Sequence, residues 1–178
     1  DTATGNLAKV NPPIRPREDV EYLWECLLAN NIDWVVSDHA CCKHEDKVHV
    51  ENPGDIWLAK SGFGGTEYLM SALVSEGSKR GLGLNKIAEL TSLNPARRYG
   101  LHGKGDIDVG LDADLVLVDP NETWTIKSSE SESGQGYTPF EDTELRARVK
   151  TTFLRGNCIF DDHQVLGEPS GKYLKRPY

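Results

Sequence analysis

The sequence is poor in most of the features that mark specialised proteins. It has four cysteines, Cys26, Cys41, Cys42 and Cys158. Four irregularly spaced cysteines, two of them adjacent, do not form the framework of a small secreted disulfide domain, so we read them as reduced and the protein as cytoplasmic. No stretch approaches the roughly 18 to 20 consecutive apolar residues of a membrane-spanning helix, and no basic-then-apolar leader stands at the start, so no membrane partner is expected. Positive charge is also scarce. Twenty Lys and Arg against 28 Asp and Glu give a formal charge of -8, the wrong sign for displacing counterions from nucleic-acid phosphate. The only methionine is Met70, and the chain opens Asp1-Thr2-Ala3-Thr4-Gly5 without an initiator, which reads as a segment of a longer protein.

What remains is a globular composition, 38% hydrophobic and 27% charged, compatible with a small uncharged or zwitterionic substrate. Leu7 to Asn11 reads as a short strand stopped by Pro12-Pro13. From Arg17 to Asn30, Val20, Leu23, Trp24, Leu27 and Leu28 recur at helical spacing, with Glu18 and Asp19 suited to the positive N-terminal end. Ile32 to Asp38 is β-branched and nearly all apolar, as in a parallel strand buried on both faces. Strand, helix and strand would place Asn11 and Asp38 together at strand C-terminal ends, where barrel enzymes keep their chemistry.

Residues 39–65 read as a long polar loop with a Gly-rich close, Ser61-Gly62-Phe63-Gly64-Gly65. Thr66 then offers an N-cap to a helix with Leu69, Met70, Leu73 and Val74 along one side, and two more helices follow over Leu84 to Ser92 and Pro95 to Tyr99. After Gly100 the texture becomes strand-like over 113–119, 123–126 and 149–154, with Arg155-Gly156-Asn157 turning into Cys158-Ile159-Phe160. Ser128 to Gly136 reads as a mobile Ser/Glu/Gly loop. The expected organisation is an α/β part over 1–103 and a small β domain over 104–178.

Asp38 is the first candidate for chemistry: a strand-end carboxylate can ligate a metal and accept a proton from metal-bound water, or it simply caps a turn. A proline-stiffened turn holds Asn11 and Arg15 in fixed directions, which suits an amide or carboxylate ligand or merely a helix-entry loop. Cys41, Cys42, His44 and His49 lack a C-x-x-C and a second half to close a tetrahedron, which argues against structural zinc. His39 is read as donating to a backbone carbonyl or to substrate, and His102 and His163 as surface residues. The glycines after Ser61 let the main chain approach a ligand, and with no strand leading directly into them they are not a dinucleotide fingerprint, which excludes NAD.

Taken together, Asn11-Pro12-Pro13-Ile14-Arg15, Ser37-Asp38-His39-Ala40, Ser61 through Glu67, Asn94-Pro95-Ala96-Arg97, and Lys104-Gly105-Asp106-Ile107 through Val116 resemble the cyclic-amide hydrolases of the dihydroorotase, allantoinase and hydantoinase group. The likeness continues through Gly136-Tyr137-Thr138-Pro139-Phe140 and Arg155-Gly156. It implies the C-terminal part of a TIM-like (β/α)8 barrel, then a small β-sandwich. It also implies a binuclear divalent-metal centre, usually zinc with manganese or cobalt also suited, and a homodimer or homotetramer. Asp38 matches the family's metal-ligating, proton-shuttling aspartate on the last barrel strand. Asn11 and Ser61 match positions that hold the cyclic amide partly through their backbone, and Arg15, His39, Cys42, Gly62 and Gly64 are further substrate-site candidates.

The family's H-x-H, bridging lysine and two later histidines have no counterpart here, so most metal ligands are absent and the segment is expected to be inactive alone. Dihydroorotases commonly carry Pro-His where this chain has Cys41-Cys42, and allantoinases tend to carry a cysteine at the second position. The Ser61 to Glu67 stretch reads closer to the dihydroorotase pattern. The expected activity is therefore hydrolysis of a cyclic-amide ring C–N bond, dihydroorotase-like, with allantoinase or hydantoinase specificity as alternatives. A non-catalytic scaffold or partner-binding homologue is the alternative of another class.

Overall fold

The computed structural model describes residues 5–176, and the chain is α/β. It divides into two compact units, each assembled from separated stretches: one from residues up to 29, 36–69 and 124–145, the other from 30–35, 70–123 and 146 onward. Among the described residues no helix is long and apolar enough to cross a membrane. All four cysteines are free.

In the first unit, helix α1 covers Arg17–Leu28, with Glu18 and Asp19 in its first turn as the macrodipole favours. Its apolar stripe is largely uncovered. Leu27 is buried, whereas Val20, Leu23 and Leu28 are exposed. The loop expected over 39–65 contains one helical turn, α2 (His44–Lys47). A 3₁₀ turn, Thr66–Tyr68, leads into α3 (Leu69–Lys79). The unit's core is aromatic: Tyr68 lies 6.3 Å from Trp124 and 6.2 Å from Phe140, and Phe63 meets Phe140 edge-on at 5.8 Å, within the range of favourable ring pairs.

In the second unit α3 buries Leu73 and Val74, as its periodicity predicts. The two helices expected over 84–99 are one continuous rod. It comprises α4 (Leu84–Ala88), a π turn over Glu89–Leu93, and α5 (Asn94–Tyr99). Pro95 explains the interruption, because it has no N–H for the carbonyl four residues back and the ladder must rearrange around it. Leu90, Ile87 and Ala96 are the buried face of this rod. It ends at Gly100 in a left-handed cap, with Leu101 N–H on the Ala96 carbonyl (2.9 Å) and Gly100 N–H on the Arg97 carbonyl (3.2 Å).

Strands β1 (Leu115–Thr125), β2 (Glu144–Leu154), β3 (Asn157–Asp161) and β4 (Gln164–Val165) form one sheet in that order. The hairpin signal is confirmed in detail. Leu154 pairs with Asn157, which leaves Arg155 and Gly156 as a two-residue loop with positive φ at both, the turn that matches strand twist. Its tip is stitched to the turn before β1: Gly156 N–H donates to the Ala113 carbonyl and Arg155 N–H to Asp114 Oδ1. Lys104 pairs with both Asp112 and Asp114, which holds its ammonium above the usual lysine range.

The strands expected over 7–11 and 32–38 are not found. A parallel strand exists only through a neighbour's ladder, and the backbone groups here find other partners. The Lys9 carbonyl accepts the Gly62 N–H (3.0 Å), and the Val35 N–H donates to the Leu90 carbonyl (3.1 Å).

Candidate functional site

Asp38, His39, Cys42, Ser61, Gly62 and Gly64 all belong to the first unit, and hydrogen bonds link their segments directly. Ala40 N–H donates to the Phe63 carbonyl (3.1 Å) and the Cys42 thiol to the Ser61 carbonyl (3.5 Å). The Ser37 and Thr66 hydroxyls meet at 3.1 Å. The imidazole of His39 does the opposite of the expected donation to a carbonyl: its Nδ1 accepts the N–H groups of Gly65 (3.2 Å) and Thr66 (3.3 Å). The reason is local, since the first N–H groups of a helical turn have no partner inside it. Nδ1 as acceptor leaves the proton of the neutral ring on Nε2, free to donate elsewhere.

Asp38 sits between these two anchored neighbours. Its carboxylate is exposed and its φ is +47°, a left-handed conformation that aspartate tolerates better than most side chains. Gly62 has φ +116°, and a Cβ there would stand 2.7 Å from Ala40 Cβ, so no side chain fits where this loop passes the 38–42 segment. The Gly62–Lys9 bond brings the Asn11 segment to the same loop, and the Asn11–Pro12 peptide is cis. Arg15 is exposed and makes no hydrogen bond or ion pair with this cluster among the described residues.

Residues 10–159 match the sequence profile of the amidohydrolase family. The chain belongs to that family. It is 40% identical over 172 residues to an allantoinase of Rubrobacter xylanophilus and 36% identical over 172 residues to an allantoinase of Salmonella newport, covering 96% of this chain and 37% of each relative. The amidohydrolase chain also superposes on an L-hydantoinase of Arthrobacter aurescens with a TM-score of 0.86 at 32% identity, over 92% of this chain and 36% of that one. A D-hydantoinase structure gives a TM-score of 0.89 at 30% identity, over 99% and 39%. The chain thus spans under two fifths of the relatives it matches.

Three further sulfur and imidazole groups of this amidohydrolase segment, those of His49, His44 and Cys41, have separate partners. His49 Nε2 lies 2.9 Å from the Leu58 carbonyl, His44 stands edge-on to Tyr137, and Cys41 Sγ accepts the Ser133 hydroxyl. Among the described residues no three His, Cys, Asp or Glu side chains converge as a metal site would require.

Lys47 and Gln135 escaped the sequence reading, and Tyr137 entered it only as part of the family likeness. Lys47 is fully buried and its ammonium donates to the Lys9 carbonyl (2.7 Å), while burial pulls its pKa below the ordinary lysine value. Gln135 and Tyr137 are also buried, and burial pushes the Tyr137 phenol up to about 12. They lie in or just beyond the stretch expected to be a mobile loop, which is instead tied down at several points. Ser131 and the Glu132 N–H bind Glu67, Ser133 binds Cys41, and Gln135 binds Gly64. A lone amide between Gly134 and Gly136 was the available signal.

Proposed function

We propose that this chain is the C-terminal part of an enzyme that hydrolyses a ring C–N bond of a cyclic amide, with Asp38 as its proton-transferring carboxylate. In this reading residues 1–103 complete a TIM-like barrel and residues 104–178 form the small β-sandwich part. The observation that carries it is the placement of Asp38: an exposed carboxylate in a left-handed turn, flanked by Ser37 and His39, both bonded to the Gly-rich loop.

Hydrolysis moves a proton from the attacking water to the departing ring nitrogen, and a single carboxylate serves both steps by accepting first and donating second. Asn11 and Ser61 hold the ring through their backbone. Gly62 and Gly64 allow its close approach, and Arg15, the His39 Nε2–H and Cys42 complete the contacts. A divalent metal, usually zinc, is the cofactor of this chemistry, and this chain's residues do not fit it: Asp38 is one ligand and no others converge with it among the described residues. No step is therefore assigned to a metal, and the segment alone is expected to be inactive. The complete enzyme is a cytoplasmic homodimer or homotetramer in this reading.

Allantoin is the favoured substrate, ahead of dihydroorotate and hydantoins, because Cys42 stands where dihydroorotases carry histidine and the relatives above are allantoinases. The test is Asp38→Ala in the complete enzyme, assayed with all three substrates. Turnover should fall by at least about a hundredfold. Activity within about tenfold of the unaltered enzyme would refute the role given to Asp38.

A further inference from the structure

Gln135 is almost completely buried, yet only half of its amide is used. Oε1 accepts the Gly64 N–H at 2.6 Å, while Nε2 is buried without an acceptor. A buried polar group left half satisfied costs stability, so its retention calls for a specific task. The surroundings supply one. A Cβ on Gly64 would stand 2.9 Å from Gln135 Oε1 and 2.9 Å from His39 Cε1, so the amide and the imidazole close on one peptide unit. His39 Nδ1 takes the next two N–H groups, Gly65 and Thr66. Three successive loop N–H groups are therefore held by two side chains from outside the loop.

The segment that carries Gln135 is fastened as well. Glu67 accepts the Ser131 hydroxyl and the Glu132 N–H, and Cys41 accepts the Ser133 hydroxyl. The 131–135 segment thus touches both the Gly-rich loop and the 38–42 segment, all inside the first unit. We infer that Gln135 is a positioning residue: it acts through Gly64 to set the Ser61–Gly62 backbone against the substrate ring and does not itself touch substrate. This rests on the hydrolase reading for the identity of the ligand, while the clamp rests on geometry alone.

Two variants separate the hydrogen bond from packing. Gln135→Met keeps the length of the side chain and removes the acceptor; Gln135→Glu keeps an acceptor, and burial holds it as the neutral acid, whose carbonyl oxygen accepts while its hydroxyl takes the place of Nε2. Hydrogen exchange of the peptide covering 61–67 should rise about tenfold in Gln135→Met and stay within about threefold of wild type in Gln135→Glu, with the α3 peptide unchanged in both. In the complete enzyme Gln135→Met should raise KM about tenfold with kcat within about threefold, and Gln135→Glu should recover most of that loss. Loop exchange unchanged in Gln135→Met, or Gln135→Glu as impaired as Gln135→Met, overturns the inference. So does a loss confined to kcat. Absence of turnover in the wild-type complete enzyme would overturn the hydrolase reading instead, because the exchange measurement needs no substrate.

Discussion

Replacing Lys47 with methionine should stabilise the chain near neutral pH, although it deletes a well-formed hydrogen bond. The lysine is fully buried, its ammonium donates to the Lys9 carbonyl, and among the described residues it forms no ion pair with a carboxylate. Removing it loses a charge-assisted hydrogen bond of about 1.5 to 3 kcal/mol. The Lys9 carbonyl is not orphaned, because it still accepts the Gly62 N–H. Against that loss, a buried ion costs several kcal/mol of desolvation even after relaxation, and methionine fills nearly the same volume without it. The balance favours Lys47→Met by about 1 to 2 kcal/mol.

The pH dependence gives a second handle. Burial depresses the folded-state pKa of Lys47 below 10.5, so the unfolded chain binds the proton more tightly and wild-type stability rises as pH climbs through the folded value toward 10.5. The advantage of Lys47→Met should therefore be full at neutral pH and shrink in alkaline solution. Urea unfolding of both chains at a series of pH values measures it. A variant destabilised by more than about 1 kcal/mol at neutral pH, or a difference that does not change with pH, would refute the reasoning.

Two further substitutions probe the site and the sheet. Gly62→Ala forces a side chain into a left-handed position against Ala40, and should cost about 2 to 4 kcal/mol in denaturant unfolding, with loss of order confined to the 38–42 and 61–67 segments. Lys104→Met removes the cation shared by Asp112 and Asp114. Although burial opposes it, Lys104 and the Arg155 N–H hold Asp114 below the usual aspartate range. The wild-type advantage should therefore hold between about pH 4 and pH 10, fade in acid as Asp114 protonates, and fade in alkali as Lys104 passes through its raised pKa.

How much could be read without coordinates depended on how local the cause is. Helix α1, the Gly100 stop and the Arg155-Gly156 hairpin follow from spacing, charge and φ preference within a few residues, and all were legible. The run from Ile32 to Asp38 misled because its composition describes a buried strand, while strand pairing depends on a partner elsewhere in the chain. The same division holds at the candidate site. Asp38, Cys42, Ser61, Gly62 and Gly64 were legible as a motif, and the bonds joining their segments are present. Gln135 was not, since its composition says loop and its partner, Gly64, lies 71 residues away. Lys47 was hidden for a related reason: a lysine is read as solvated unless the fold closes over it.

The π turn over Glu89–Leu93 carries one anchor of the second unit and leads into another: the Leu90 carbonyl within it, which receives Val35 N–H, and the Asn94 amide just beyond it, which reaches the Asp33 carbonyl at 2.8 Å. Deleting one residue between Leu90 and Asn94 would restore ordinary helical winding and shift the phase of Asn94 relative to Leu90 by a fraction of a turn. The rod would look more regular, and Asn94 would leave its line to the backbone it holds. The irregular turn therefore works as a phase adjuster, letting a single helical rod grip both sides of Trp34.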